Sequence, residues 1–451
     1  MSAVPETAER YVQALVEQGV ECLFLNPGTD TFPIQEALAK LEAGGCRVPR
    51  TVLCPFEVVA LAGAHGYYAA TGRPQAVLVH VDVGTQNLGG QLHNAQRGRA
   101  AVLVSAGRSP YTSDQGVRGG RDTYIHWLQE QLDQHGVVRN YTKWDYELRR
   151  PDQVAEAVAR AFQIASSDPP GPVYLTLPRE ILMAPAEERV VPRRQPPARV
   201  GAGDPEALHE LARRLVASER PIVLTATTGR SRAGFEGLGR LAELLALPVV
   251  EWRERANFPS DHPLHQGGDP APWLGEADAV LVLDHDVPYI PARGERPGPD
   301  AWIAQVDLDP IKERVPLWSF PLDLAVPADT GRALGLVAEA AEGRLDAAAR
   351  RRIEERRGRL AAEHARRRAA WDAEALAKRD ARPIALAWLG RCLGELAREA
   401  PDCLFVDEMV TSNVVTWRHV ETREPGSWFG SGGSALGWGL GAALGVKLAR
   451  P

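Results

Sequence analysis

The sequence predicts an α/β protein built from three doubly wound parallel-sheet domains, and three observations carry that prediction. Residues 51–54, 76–81 and 100–105 are short, nearly continuous apolar runs, the pattern of strands covered on both faces. Segments with helical spacing separate them, chiefly the Ala- and Gly-rich stretch 58–68. The same alternation returns after residue 220, and a chain of 451 residues is long enough for about three domains.

Taken in order, an amphipathic helix is expected over about 7–18, ended by Gly19, then a strand at 22–25 and the turn Asn26-Pro27-Gly28-Thr29. Gly28 permits a positive φ and a close backbone approach to a bound group, although taken alone a plain strand-to-helix turn is the better explanation. The run 51–54 ends at Pro55, and Glu57 stands where that strand yields to its helix. His80 stands at the end of the run 76–81, followed by a Gly84-Thr85 turn. Ligands of open α/β sheets bind beyond the carboxyl ends of the strands, so these residues share one lip. Against that, a glutamate at a helix start is ordinarily a solvated residue favoured by the helix dipole, and a lone histidine near a sheet edge is more often structural. The loop 106–127 is long and polar; its Arg118, Arg121 and His126 are either contacts for a substrate carboxylate or solvated loop charges. A helix at 151–166 and a strand at 173–177 lead to a Pro/Arg-rich linker, 184–205.

In the middle region, strands are expected at 222–225, 249–252, 279–283 and 302–306. GRSRAG at 229–234 opens a helix in a way that suits a phosphate, a weak signal alone. LDHDVPYIP at 283–291 sets His285 and Asp286 at a strand's carboxyl end, as substrate contacts or as lip residues. The densely charged stretch 344–380 mixes both signs, which suits a solvated, salt-bridged helix. Beyond it come a strand at 403–406, DEMVTSN at 407–413 and the glycine-rich GSGGSALGWGLGAALG at 430–445.

Composition narrows the function classes. A net charge of -6 argues against a nucleic-acid or anionic-membrane surface, and no apolar run approaches the roughly 18 residues of a membrane span. The amino-terminal segment lacks the basic and apolar regions of a signal peptide, so a cytoplasmic protein is expected. Five cysteines without a CxxC or Cys/His cluster fit reduced thiols and leave no zinc site.

NPGTDTFP at 26–33, PFEVVALAGAHGYYAATGRP at 55–74 and GTQNLGGQLHNA at 84–95 together resemble the pyrimidine-binding domain of thiamine-diphosphate enzymes, in the branch of acetolactate synthase and benzoylformate decarboxylase. The resemblance implies a pyrimidine-binding domain over 1–185, a middle α/β domain over 190–340, a charged helical connector over 341–381 and the amino-terminal part of a diphosphate-binding domain over 382–451. It implies that Glu57 hydrogen-bonds N1′ of the cofactor's aminopyrimidine, and that His80 handles protons on the substrate. Pro27, Gly28, Thr29, Gln91, Thr411, Ser412, Gly432 and Gly433 would contact the cofactor or substrate. Leu436 would be the apolar wedge that bends the cofactor, or else simple core packing. In the family a Gly-Asp-Gly motif, with an asparagine nearly thirty residues later, supplies the magnesium ligands; these residues are absent from the chain, so the third domain is read as incomplete and no metal ligand is assigned. Some members bind FAD in the middle domain, but no residues here carry a flavin site. The implied activity is thiamine-diphosphate- and magnesium-dependent decarboxylation or carboligation of a small 2-oxo acid by a homodimer or tetramer, with weak cofactor binding expected of these 451 residues alone. The alternative is a truncated, non-catalytic member that serves as an assembly partner.

Overall fold

Six strands form the first sheet: β1 (Cys22–Leu25), β2 (Arg50–Leu53), β3 (Gln75–Val79), β4 (Val102–Arg108), β5 (Asp145–Glu147) and β6 (Val173–Pro178). The computed structural model describes residues 4–114, 116–186 and 195–451. The strands lie in the order β2-β1-β3-β4-β6-β5, every neighbouring pair parallel, with Leu25 of β1 in register with Leu53 and with Leu78. Alternation along each strand divides the core between two faces. Leu23, Leu25, Ala76, Leu78 and Leu103 pack with Tyr11 and Leu15 of helix α1 (Thr7–Glu17), Ile34 and Leu38 of α2 (Phe32–Ala43), and Phe162 of the helix Val154–Ser166. Phe24, Val77, Val79, Val102 and Val104 pack on the other face against Ala60, Leu61 and Ala64 of α3 (Glu57–Thr71) and Leu92 of α5 (Gly89–Arg97), with the short α4 (Val81–Asn87) between them in sequence.

Three details depart from the sequence reading. The run 51–54 is not buried on both faces: β2 is an edge strand bonded only to β1, and Leu53 is 68% exposed. β3 ends at Val79, so His80 lies just past it, and Gly84-Thr85 is no turn but part of α4. β5 goes unseen in the sequence because it is a half-buried edge strand of three residues, Asp-Tyr-Glu, with no apolar run.

The chain divides into two compact units, Met1–Ala198 with Ser431–Pro451, and Arg199–Gly430. In the first, the helix Trp438–Ala449 lies along α3 through a seam of glycines. A Cβ on Gly445 would fall 1.9 Å from the Gly63 carbonyl oxygen, and one on Gly66 would fall 2.2 Å from that of Ala442. Much of the glycine richness of 430–445, read in the sequence as a ligand-binding signal, thus serves close helix packing.

The second unit carries β7 (Pro221–Thr225), β8 (Val249–Glu251), β9 (Ala279–Leu283), β10 (Trp302–Asp307) and β11 (Leu324–Pro327) in the order β11-β10-β9-β7-β8, all parallel. A two-stranded parallel pair, β12 (Phe405–Val406) and β13 (Trp428–Phe429), is separate. The charged stretch forms one helix, Ala347–Ala377, and it is docked along one side rather than solvated all round. Ile353, Arg356, Leu360 and His364 recur at helical spacing and are all buried. Arg356 donates to the carbonyls of Leu245 and Ala246, at the otherwise open end of the helix Arg232–Leu245, and to those of Ser218 and Glu219, just past the helix Pro205–Ala217.

Candidate functional site

Strand order fixes where the first unit binds a ligand. The connection after β1 runs outward to β2, and the chain then returns to lay β3 on the other side of β1, so the order reverses between β1 and β3. At such a switch point the loops beyond the carboxyl ends diverge and leave a crevice. Asn26 to Asp30 follow β1, His80 follows β3, and Glu57 follows the neighbouring β2.

Glu57 is the first residue of α3 and is 7% exposed, which removes the solvated-residue reading. Phe56 at the N-cap offers no side-chain cap, and a carboxylate in the first turn complements the positive end of the helix. Both its oxygens are held: Oε1 accepts from Asn26 Nδ2 (2.7 Å) and Oε2 from Asn87 Nδ2 (2.5 Å). Gly84 faces Oε1, where a Cβ would come within 3.2 Å, and its N–H donates to the His80 carbonyl (2.7 Å). One glycine therefore adjoins both candidate catalytic residues.

His80 pairs through Nδ1 with Oδ1 of Asp30, a carboxylate with no solvent exposure. Asp30 Oδ2 accepts from the Val81 N–H at 3.0 Å. Burial pushes the imidazole pKa down, but the hydrogen bond and charge of Asp30 outweigh it, helped by Gln129 and Asp82, and hold His80 above the ordinary histidine value. Sequence reasoning missed Asp30, Asn26 and Asn87 as functional residues, although all three lie inside the motifs that pointed to the family. The available signal was an acid flanked by threonines in a turn aimed at the lip.

The remaining candidates are dispersed. Pro27 and Thr29 are exposed on the β1 loop, and Gly28 is half-buried against His80. Gln91, buried on α5, donates to the Leu436 carbonyl (3.2 Å), while Asn94 exchanges hydrogen bonds with the Ala435 backbone. Gly433 donates to Ser431 Oγ, and Cβ atoms on Gly432 and Gly433 would strike Gly98 and Asn94. These glycines face α5 rather than an open cradle. Leu436 is 71% exposed, so it is not core packing. Thr411 and Ser412 belong to the second unit. Arg118 pairs with Glu6 and Arg121 with Glu130, while His126 is buried, its pKa lowered by desolvation and by Arg179. In the second unit His285 is buried and its pKa is pushed down to about 4 by that burial, and Asp286 pairs with Lys312 (2.8 Å).

The two ends of thiamine diphosphate fare differently against these residues. A buried carboxylate fixed by two amides, beside a glycine that keeps its approach clear, fits the aminopyrimidine. For the diphosphate, the Gly432-Gly433 backbone is already engaged, and among the described residues no group of three or more His, Cys, Asp or Glu side chains forms a metal cluster.

Fold and site together define a doubly wound α/β protein with an acid-and-histidine lip at the switch point of its first sheet. Residues 5–137 match the family model described as the thiamine pyrophosphate enzyme N-terminal TPP binding domain. The chain is 30% identical to benzoylformate decarboxylase of Pseudomonas aeruginosa, over 97% of this chain and 78% of that protein. It is 25% identical to an acetolactate synthase of Mycobacterium bovis, over 98% of this chain and 70% of that one. Among solved structures, the thiamine diphosphate-dependent 4-hydroxybenzoylformate decarboxylase of Rhodococcus jostii superposes with a TM-score of 0.77 at 21% identity, over 99% of this chain and 79% of its own, a likeness of fold. The chain belongs to the thiamine pyrophosphate enzyme family.

Proposed function

We propose that this protein is a thiamine-diphosphate-dependent decarboxylase or carboligase of small 2-oxo acids, with magnesium as the accompanying metal and a homodimer or tetramer as the working form. The observation that carries the reading is Glu57, buried at the head of α3 with both oxygens oriented by Asn26 and Asn87 beside the β1/β3 crevice. Similarity to decarboxylases and synthases over nearly the whole chain favours catalysis over a purely structural partner.

When bound, thiamine diphosphate supplies the electron sink that makes loss of carbon dioxide from a 2-oxo acid feasible. The chain's own part is to place protons. With the cofactor bound, Glu57 would be the residue to hydrogen-bond ring nitrogen N1′ and to exchange a proton there, which general acid–base catalysis requires at a fixed, hydrogen-bonded distance. Asn26 and Asn87 restrain the carboxylate so that little rotamer freedom is lost at that moment. His80 holds a proton over the mouth of the crevice, within the same turn as Gly84.

Carbon dioxide release from benzoylformate, pyruvate and branched 2-oxo acids, with thiamine diphosphate and magnesium added, tests the class. Glu57→Gln is expected to abolish hydrogen exchange at C2 of the added cofactor while leaving the circular dichroism spectrum unchanged. Exchange at the wild-type rate in that variant would falsify the assignment.

A further inference from the structure

Asp30 sits in a space made for it. A Cβ on Gly107 would fall 1.6 Å from its Oδ2, and one on Gly28 would fall 2.0 Å from His80 Nδ1 and 2.6 Å from Asp30 Oδ1. The loop after β1 and the central strand β4 thus each give up a side chain where the acid and the imidazole meet. The third wall is strained: Val81, a β-branched residue, has φ +23°, and its N–H is bound by Asp30 Oδ2 at 3.0 Å. A single fully buried carboxylate therefore grips the His80 ring with one oxygen and the following peptide with the other.

We infer that Asp30 is a positioning residue for His80: it keeps the imidazole proton on Nδ1, pins the ring against rotation, and leaves Nε2 as the nitrogen that meets substrate. The chemistry is general. A neutral imidazole has one donor and one acceptor nitrogen, and a carboxylate on Nδ1 fixes which is which while stabilising the imidazolium when Nε2 takes a proton. The charged and polar groups facing the ring are Asp30 from the β1 loop, Asp82 from α4 and Gln129 from the segment after β4; Asp30 also acts on His126, which Arg179 influences in the opposite sense. Removing Asp30 leaves burial as the largest influence on the ring.

That the pair serves proton transfer rests on the proposed function, but the pairing is measurable without cofactor or substrate. In the full-length protein labelled at histidine Cε1, the His80 resonance is followed against pH in the wild type, Asp30→Asn and Gly107→Ala. Asp30→Asn keeps size and shape and removes the charge. Gly107→Ala leaves both partners in place and drives a methyl group into the carboxylate. In both variants the His80 midpoint is expected to fall by roughly a unit or more, the usual effect of losing an adjacent opposite charge. The pH profile of carbon dioxide release should move the same way, and Asp30→Glu should restore part of the shift. A His80 midpoint that stays at the wild-type value in folded Asp30→Asn and Gly107→Ala overturns the inference. If the midpoints shift while the wild type releases no carbon dioxide from any 2-oxo acid, the pairing stands and the functional reading falls.

Discussion

Replacing Gly445 by alanine tests whether the glycine seam, rather than side-chain burial, holds the helix Trp438–Ala449 on α3. The added methyl group would lie 1.9 Å from the Gly63 oxygen, 2.8 Å from the Gly63 carbonyl carbon and 2.9 Å from the Tyr67 nitrogen. All three are backbone atoms, so no rotamer change gives relief. Ordinary contact begins near 3.4 Å, and one helix must move by more than about 1 Å. Overpacking of this kind costs about 1–3 kcal/mol, and an obstacle of rigid backbone belongs at the upper end. For units of this size each kcal/mol lowers the melting temperature by about 2–4 °C, so a drop of about 6–12 °C is expected by differential scanning calorimetry. Gly89→Ala is the control, because a Cβ there meets nothing within 4 Å. It should melt at or slightly above the wild-type temperature, since alanine favours helix over glycine. A Gly445→Ala protein melting within a degree or two of wild type would refute the reasoning.

Two further outcomes are expected in the second unit. His285 has a folded pKa of about 4 against an ordinary 6.5, set by burial and only partly opposed by Asp286 and Asp307, with Lys312 adding to the depression. A depressed pKa means that the unfolded chain binds the proton more readily, so the contribution is complete above about pH 6.5 and is lost as pH falls toward 4, on the order of 3 kcal/mol in all. Urea midpoints should decline across that window, and His285→Gln should flatten the decline. Arg356→Met should destabilise by about 2–4 kcal/mol in urea titration, because three buried carbonyls and one part-buried one lose a charged donor, whereas Arg366→Met on the exposed side of the same helix should leave the midpoint unchanged.

Local chemistry was legible in the sequence, and neighbourhood was not. Strands 22–25 and 279–283 fall where their apolar runs predict, because a run bounded by turn residues specifies a strand without reference to partners. The burial of β2 was misjudged because sheet order is set by long-range pairing: the run looks internal, yet it lies at the rim. Glu57 and His80 were placed on one lip through their positions at strand ends. Asp30 escaped notice because an acid before a helix reads as a cap, and nothing local reveals that its partners, His80 and Val81, arrive fifty residues later. Within residues 430–445 the resemblance assigned Gly432 and Gly433 to the cofactor, yet a glycine-rich run looks the same for a phosphate turn and for a close helix contact. Only the facing Gly63 and Gly66 distinguish the two.

The edge position of β2 has a kinetic side. Glu57 is delivered by an edge strand: β2 is bonded to β1 alone, and its side chains are largely open to water. Edge strands open at lower free energy than central ones, so the amides of Arg50–Leu53 should exchange with deuterium well before those of β3. The carboxylate's restraint then comes less from the strand behind it than from Asn26 and Asn87 and from α3 ahead of it. Breathing at the rim can proceed without unseating the acid, while the His80–Asp30 pair stays beside the central strands β1 and β3.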